Sequence, residues 1–347
     1  MKASWKKYDL HFKRPSGTSR GILKTKTSYF IFLEVNGLTG IGECGLLKGL
    51  SIDDVPEYEE KLNDVCQRIS IFGDDDTLLN NFPSIQFGVE MALYDINNGA
   101  KKKFFDNQFY QSAKGIDING LVWMGTKEFM LEQIKQKIEQ SFSCIKLKIG
   151  AIDFNTEIEL LKNIRKEYSE NDIELRVDAN GAFSAKEAYE KLSILSELKI
   201  HSIEQPIKQG QYEEMARLCE TTPIPIALDE ELIGINSLEK KEWLLKNLKP
   251  QYIILKPSLV GGFKKSDEWI DIAEKNNIGW WITSALESNI GLNAIAQFTS
   301  YLNTKMPQGL GTGQLYTNNF PSPLVIENAK LFYRKNEAWD LSLVMND

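Results

Sequence analysis

The sequence is poor in the side chains that most often bind transition metals. Two histidines and four cysteines in 347 residues leave few nitrogen and sulfur donors. Cys44, Cys66, Cys144 and Cys219 stand far apart with no Cys-x-x-Cys pair, so neither a zinc site nor a disulfide framework is indicated, and free thiols in a reducing compartment are expected. His11 and His201 match no metal spacing and are read as structural. No apolar run approaches the ~20 residues of a membrane span, and Met1 to Lys7 holds no signal-peptide core, which predicts a cytoplasmic protein without a membrane partner. A dense Lys/Arg block is also missing. The net charge is −7, and the one short basic run, Lys101-Lys102-Lys103, reads as the solvated end of a helix, so no nucleic-acid partner is expected.

What is present is an ordinary globular composition, 42% hydrophobic and 26% charged, over a length that allows a full barrel plus a smaller domain. Residues 1–117 follow no strand-helix rhythm and read as a separate α+β domain. Trp5 to Phe12 and Ser28 to Val35 are candidate strands of an antiparallel meander, followed by helices over Asp53 to Phe72 and Ser84 to Tyr94. Arg14 to Gly21 is polar and aperiodic. It reads as a connector or as a mobile lid carrying Arg20 to an anionic ligand.

From Ile118 the period becomes regular. Eight candidate strands, Gly120 to Met124, Cys144 to Ile149, Ile173 to Asp178, Ile200 to Glu204, Pro225 to Asp229, Tyr252 to Lys256, Gly279 to Thr283 and Gln308 to Gly311, alternate with amphipathic runs such as Asn155 to Glu170, Ala185 to Lys199, Ser237 to Lys249 and Lys264 to Asn277. Alternation over one contiguous span predicts a parallel sheet closed into a barrel over 118–323. An open doubly wound sheet would carry a Gly-x-Gly-x-x-Gly turn where the rhythm begins, and none is there. The segment 324–347 falls outside the repeat and is expected to complete the first domain.

Three of these strands end in acids. Asp178, in Arg176-Val177-Asp178-Ala179-Asn180, lies 26 residues before Glu204 of Glu204-Gln205-Pro206, which lies 25 before Asp229 of Asp229-Glu230. Parallel barrel strands end on one face, so carboxylates at the βα interval of roughly 25 to 35 residues converge. In Lys146-Leu147-Lys148 the alternation of a strand puts both amines on the barrel's inner face, where an ammonium needs a polar reason to be. Lys256 ends the sixth strand, across the mouth from them. An all-carboxylate set suits Mg²⁺, or Mn²⁺ in its place. With both histidines set aside, lysine is the available base, its pKa lowered by a neighbouring lysine and a divalent cation. The expected chemistry is abstraction of the proton next to a carboxylate whose enediolate the metal stabilises.

In their order, Lys-x-Lys, Asp-Ala-Asn, Glu-Gln-Pro, Asp-Glu and the later lysine resemble the enolase superfamily, in its muconate-lactonizing branch. Lys or His bases paired with Mg²⁺ are a known feature of that superfamily. The resemblance covers essentially the whole chain and implies a modified (β/α)7β barrel under an α+β capping domain. Within the branch, four stretches look like the menaquinone-pathway dehydratases: Gly42-Glu43-Cys44 leading to Gly49-Leu50-Ser51, Pro83 to Glu90, Ile118 to Trp123, and Thr283 to Gly291. Where that group often shows Cys-Ala-Pro-Leu-Pro-Gly-Leu-Ser, this chain has Cys44-Gly45-Leu46-Leu47-Lys48-Gly49-Leu50-Ser51.

The resemblance implies Asp178, Glu204 and Asp229 as Mg²⁺ ligands, supported by Asn180 and Glu230. It implies Lys148 as the base, Lys256 as electrostatic partner on the other face, and Lys146 tuning Lys148 and contacting the substrate carboxylate. Ser284, Gly311, Thr312 and Arg20 are further candidates for the substrate. The partner is a small-molecule carboxylate, and a homo-oligomer is compatible with the sequence. N-acylamino-acid racemases and dipeptide epimerases share the lysines and ligands. The epimerases typically place Asp-x-Asp after the eighth strand, where this chain has Gly311-Thr312-Gly313. A scaffold that merely keeps the barrel would have no physical use for so many buried charges.

Overall fold

The computed structural model describes residues 1–18 and 21–345. Arg20 therefore lies outside the described residues. Strands β1 (Lys2–Thr18), β2 (Gly21–Val35) and β3 (Leu38–Cys44) form an antiparallel sheet. β2 and β3 are joined by Asn36 and Gly37, both at positive φ (51° and 79°), the backbone that a two-residue hairpin demands. β1 and β2 run further than the sequence suggests. Beyond a register shift between His11 and Ser16, pairing continues to Thr18 and Gly21, so most of Arg14 to Gly21, expected to be a loop, belongs to a projecting hairpin arm. Lys13 to Pro15, Ile22, Lys24 and Thr25 are exposed there, and an arm with no core beneath it selects no apolar alternation.

The helices Tyr58–Gln67, Ile69–Asp74 and Pro83–Asn97 cover this sheet. The last of them packs on β3 so closely that a Cβ at Gly42 would lie 1.8 Å from the carbonyl oxygen of Gly88; only glycine permits that approach. Lys101-Lys102-Lys103 is not a helix end. It follows the helix in a bend, and Lys102 is mostly buried, its ammonium 3.4 Å from Asp95.

β4 (Ile116–Asp117) leads into the barrel. β5 (Gly120–Val122), β6 (Cys144–Lys148), β7 (Glu174–Asp178), β8 (Ser202–Glu204), β9 (Ile226–Leu228), β10 (Tyr252–Leu255) and β11 (Gly279–Ile282) pair in parallel in chain order. The eighth position, expected over Gln308 to Gly311, is reduced to two parallel bridges, Ile118 to Gln308 and Thr283 to Gly309. They close the ring, and the short element fits a segment that carries glycine at 309 and 311. Helices start where the sequence supplies a cap: Thr126, Asp153, Ser184 and Ser237 each accept a backbone N–H of the first turn. Along β6, Ile145 and Leu147 point out into the apolar layer under the helices, leaving Lys146 and Lys148 to face inward. β12 (Leu324–Glu327) pairs with β13 (Lys330–Tyr333), which pairs with β4, and Tyr333 packs on Phe109 and Tyr110. All four cysteines are free. Among the described residues no helix is long and apolar enough to cross a membrane.

Candidate active site at the barrel mouth

Strand register brings the charged side chains into one row. Lys148 pairs with Asp178 and Asp178 with Glu204, while Asp229 and Lys256 stand immediately past β9 and β10. All six members, Lys146, Lys148, Asp178, Glu204, Asp229 and Lys256, are buried. Lys146 Nζ donates to Glu204 Oε2 and lies 2.8 Å from Asp178 Oδ2. Lys148 Nζ donates to Asp178 Oδ2 (2.5 Å) and to Asn180 Oδ1 (2.9 Å). Lys256 Nζ donates to Asp229 Oδ2 and lies 3.7 Å from Glu204 Oε1. The lysines thus flank the acids from two sides, as the strand numbering requires.

Electrostatics divides the group. Burial works against each charge here. For Lys146 and Lys256 it is outweighed by the neighbouring carboxylates, Asp178 and Glu204 for the first, Asp229 and Glu204 for the second, and both pKa values rise above the ordinary lysine value. For Lys148 burial prevails, and Lys146 adds to it, so this amine is the one pulled below the usual range. Burial opposes ionisation of Asp178 and Asp229 as well, yet Lys146 and Lys148 hold the first, and Lys256 the second, below the ordinary value. Glu204, buried between those two carboxylates, is pushed up to about 8 by burial and then by Asp178.

Asn180 and Glu230 support this row. Asn180, at φ 45°, receives Lys148, donates its backbone N–H to Asp178 Oδ1 (3.0 Å) and its amide to Glu230 Oε1 (3.1 Å). Two further residues, not singled out from the sequence, hold the strand ends. Gln205, fully buried and at φ 41°, accepts the N–H groups of Asp229 and Glu231 and donates to Glu231 Oε2 and the Ile207 carbonyl. Glu231 also accepts the Gly210 N–H at 2.7 Å. For Gln205 the signal was in the Glu-Gln-Pro motif, and for Glu231 it was the acid following Asp229-Glu230: polar residues at the end of short apolar strands need partners.

Above the row lies a cavity of about 440 Å³. Lys146, Lys148 and Lys256 form its floor, Ile22, Leu23 and the loop Leu47 to Leu50 cover it from β2 and the segment after β3, and Trp123, Leu121, Leu286 and Leu315 give it apolar walls. Ser284, Gly311 and Thr312 do line it. Both hydroxyls, however, have their protons engaged: Thr312 donates to Ser284 at 2.8 Å, and Ser284 donates to Glu287 at 2.5 Å.

Among the described residues no group of three His, Cys, Asp or Glu stands as an ion-holding set; each of the three carboxylates is bonded to an ammonium group instead. The chemistry of the donors nevertheless fits a hard divalent cation. They are all carboxylate oxygens, and buried Glu204 Oε1 has no hydrogen-bond donor, which leaves its lone pairs for a cation.

A family model described as enolase C-terminal domain-like matches residues 130–334. The chain is 45% identical to the o-succinylbenzoate synthase of Desulfotalea psychrophila, over 95% of this chain and 98% of that one. The crystal structure of MenC from the same organism superposes with a TM-score of 0.85 at 42% identity, covering 96% of this chain and 99% of that one. A dipeptide epimerase from Enterococcus faecalis, complexed with Mg and the dipeptide L-Leu-L-Tyr, shares the fold with a TM-score of 0.77 at 20% identity, covering 97% of each chain.

Proposed function

This chain belongs to the enolase C-terminal domain-like family, and from that premise we propose that it catalyses the o-succinylbenzoate synthase reaction, dehydrating 2-succinyl-6-hydroxy-2,4-cyclohexadiene-1-carboxylate to 2-succinylbenzoate for menaquinone biosynthesis. The observation that carries the reading is the placement of Lys148 and Lys256 on opposite flanks of three buried carboxylates, under a cavity with apolar walls, in a chain so similar to a synthase over nearly its full length.

Asp178, Glu204 and Asp229 would hold Mg²⁺, with Asn180 and Glu230 fixing their orientation. Bound there, the cation would neutralise charge on the substrate carboxylate and so acidify the adjacent carbon. The chain's own residues perform the rest. Lys148, the lysine whose charged form is least favoured, accepts the ring proton as a neutral amine. Electrons from the broken C–H bond spread into the carboxylate, and the ammonium of Lys256 faces the negative charge that develops. The ring electrons then expel the hydroxyl on the neighbouring carbon, and the proton held on Lys148 goes to it, releasing water and leaving an aromatic ring. Lys146 keeps the positive potential that depresses Lys148 and pairs with the carboxylate end. The apolar walls exclude water from the carbanion and suit a planar ring. Epimerisation of a dipeptide would need acids for an α-ammonium, and Gly311-Thr312-Gly313 supplies none.

The test is a direct dehydration assay, following 2-succinylbenzoate by its absorbance, with Mg²⁺ and after exhaustive chelation, beside an Ala-Glu dipeptide epimerisation assay. Rapid, chelator-sensitive dehydration is expected. A higher kcat/KM on the dipeptide, or full activity without a divalent cation, would overturn the proposal.

A further inference from the structure

The proposed substrate carries a second carboxylate, at the end of its succinyl arm, and the three lysines of the floor stand among Asp178, Glu204 and Asp229, where the proposed reaction uses them on the ring and its carboxylate. Ser284 is no donor for that arm. Its proton goes to Glu287, and its oxygen already accepts from Thr312 and, at 3.1 Å, from the Leu286 N–H. Thr312, with its proton spent on Ser284, presents lone pairs to the cavity, and lone pairs repel a carboxylate.

Among the described residues two other cations line the cavity, Lys48 and Lys137. Lys137 stands behind the barrel wall. A Cβ at Gly120 would meet its side chain at 3.0 Å, and Gly120 points away from the interior because its neighbour Leu121 pairs with inward-facing Lys146. Its ammonium lies over the Phe142 ring, 5.0 Å from the centroid, with Gln140 at 3.5 Å.

Lys48 is placed differently. It sits at the tip of a turn after β3 that lies over the cavity, and it makes no ion pair or hydrogen bond among the described residues. The turn itself is fixed at four points: Leu47 N–H to Ser51 Oγ (2.9 Å), Leu50 and Ser51 N–H to the Leu47 carbonyl, and Gly49 N–H to Asp54 Oδ2 (2.8 Å). Gly49 takes the positive φ, 76°, that the turn requires. A backbone fixed at these points thus holds Lys48, which has no ion pair or hydrogen bond among the described residues, over the cavity beside Ile22, Leu23 and Leu50.

We infer that Lys48 is a specificity-determining residue that binds the distal carboxylate of a dicarboxylate ligand. The identity of that ligand rests on the proposed function; the role of Lys48 can be read from binding alone. A charge-assisted bond at a half-open site is expected to contribute about five- to twentyfold in affinity. The experiment is calorimetric titration, with Mg²⁺ present, of 2-succinylbenzoate and of its analogue with the tail carboxylate converted to an amide. The proteins are the wild type, Lys48→Met, Lys48→Arg and Lys137→Met, with turnover measured in parallel. The wild type and Lys137→Met are expected to prefer the carboxylate tail. Lys48→Met should lose that preference with kcat within about twofold, and Lys48→Arg should retain it.

Preference retained in Lys48→Met overturns the assignment, as does equal weakening of both ligands, which marks a structural role. Loss of preference in Lys137→Met instead moves the site to that residue. If the wild type binds with the preference yet does not dehydrate the diene, the proposed reaction falls and the Lys48 assignment stands. Binding of neither ligand overturns both.

Discussion

Buried lysines and acids meet both at the barrel mouth and at the seam where the three-stranded sheet joins the barrel. At the seam, Lys26 Nζ donates to Ser28 at 2.9 Å and Ser28 to Glu43 at 2.8 Å. Glu43 also accepts the Ser288 hydroxyl and the N–H groups of Ser288 and Gly291, at the start of the helix Asn289–Tyr301, where a negative charge is favoured. Glu287 accepts from Ser258 and Ser284. Both clusters are almost inaccessible to water. The difference lies in the partners. Seam carboxylates are met by neutral donors, two on each oxygen of Glu43, whereas the mouth carboxylates are met by ammonium groups and leave Glu204 Oε1 without a donor. Buried charge alone does not mark a site of chemistry. Charge left incompletely answered beneath a cavity does.

Substituting one residue in each cluster would break this comparison if it is wrong. The largest effect is expected at Lys148. General-base catalysis contributes about 10²- to 10⁴-fold, so Lys148→Ala should lower kcat by at least that much while the melting temperature holds or rises. Lys148→Arg should not restore the rate, since a guanidinium stays protonated. Near wild-type turnover by Lys148→Arg, or activity loss that merely follows unfolding, would remove Lys148 from its role. Glu43→Ala should do the reverse. It strands Lys26 and the first N–H groups of a helix, and removing one partner of a buried charge cluster costs about 3–5 kcal/mol. Urea unfolding should register that loss, whereas kcat of the folded fraction should stay within a few-fold of wild type. A thousandfold fall in kcat with unchanged stability would make the seam part of the catalytic apparatus.

The two clusters also differ in how far they can be read from sequence. The mouth depends on local rules. A period of two puts Lys146 and Lys148 on one face, and the βα repeat places Asp178, Glu204 and Asp229 at successive strand ends, so the row was legible before any coordinates. The seam depends on docking: Glu43 and Ser288 are 245 residues apart, and no local pattern reports that Glu43 reaches a helix start in the other part of the chain. Gln205 was visible as a polar residue in the Glu-Gln-Pro motif, but its hydrogen bonds to Glu231 arise at a positive-φ position that sequence spacing does not encode. The strand pairing that carries Arg14 to Thr18 was missed because exposed strands carry no alternation. Ser284 was visible as a hydroxyl near the mouth; that Glu287 already takes its proton was not.

The smallest of these effects tests the idea that the number of donors decides the fate of a buried acid. Asp53, fully buried like Glu43, also lies at a helix start, but it is only half answered. Its Oδ2 accepts the Ser84 N–H at 2.9 Å and the Ser84 hydroxyl at 2.6 Å, and Oδ1 has no partner. Burial raises its pKa from 3.8 to about 6, against the pull of those two bonds. A folded-state pKa above the unfolded value means that folding favours the neutral acid. Its contribution is therefore fully present below about pH 4 and is lost as pH rises to about 6, where both states become ionised. At 1.36 kcal/mol per unit the whole excursion is at most about 3 kcal/mol. Asp53→Asn stays neutral throughout, so subtracting its urea-unfolding free energy from that of the wild type between pH 4 and 7 isolates this carboxyl from every other titrating group. The difference should fall as pH rises and level off near pH 6.5. A flat difference would mean that two donors on one oxygen satisfy Asp53 as fully as four satisfy Glu43, and a rising one would mean that they hold it ionised.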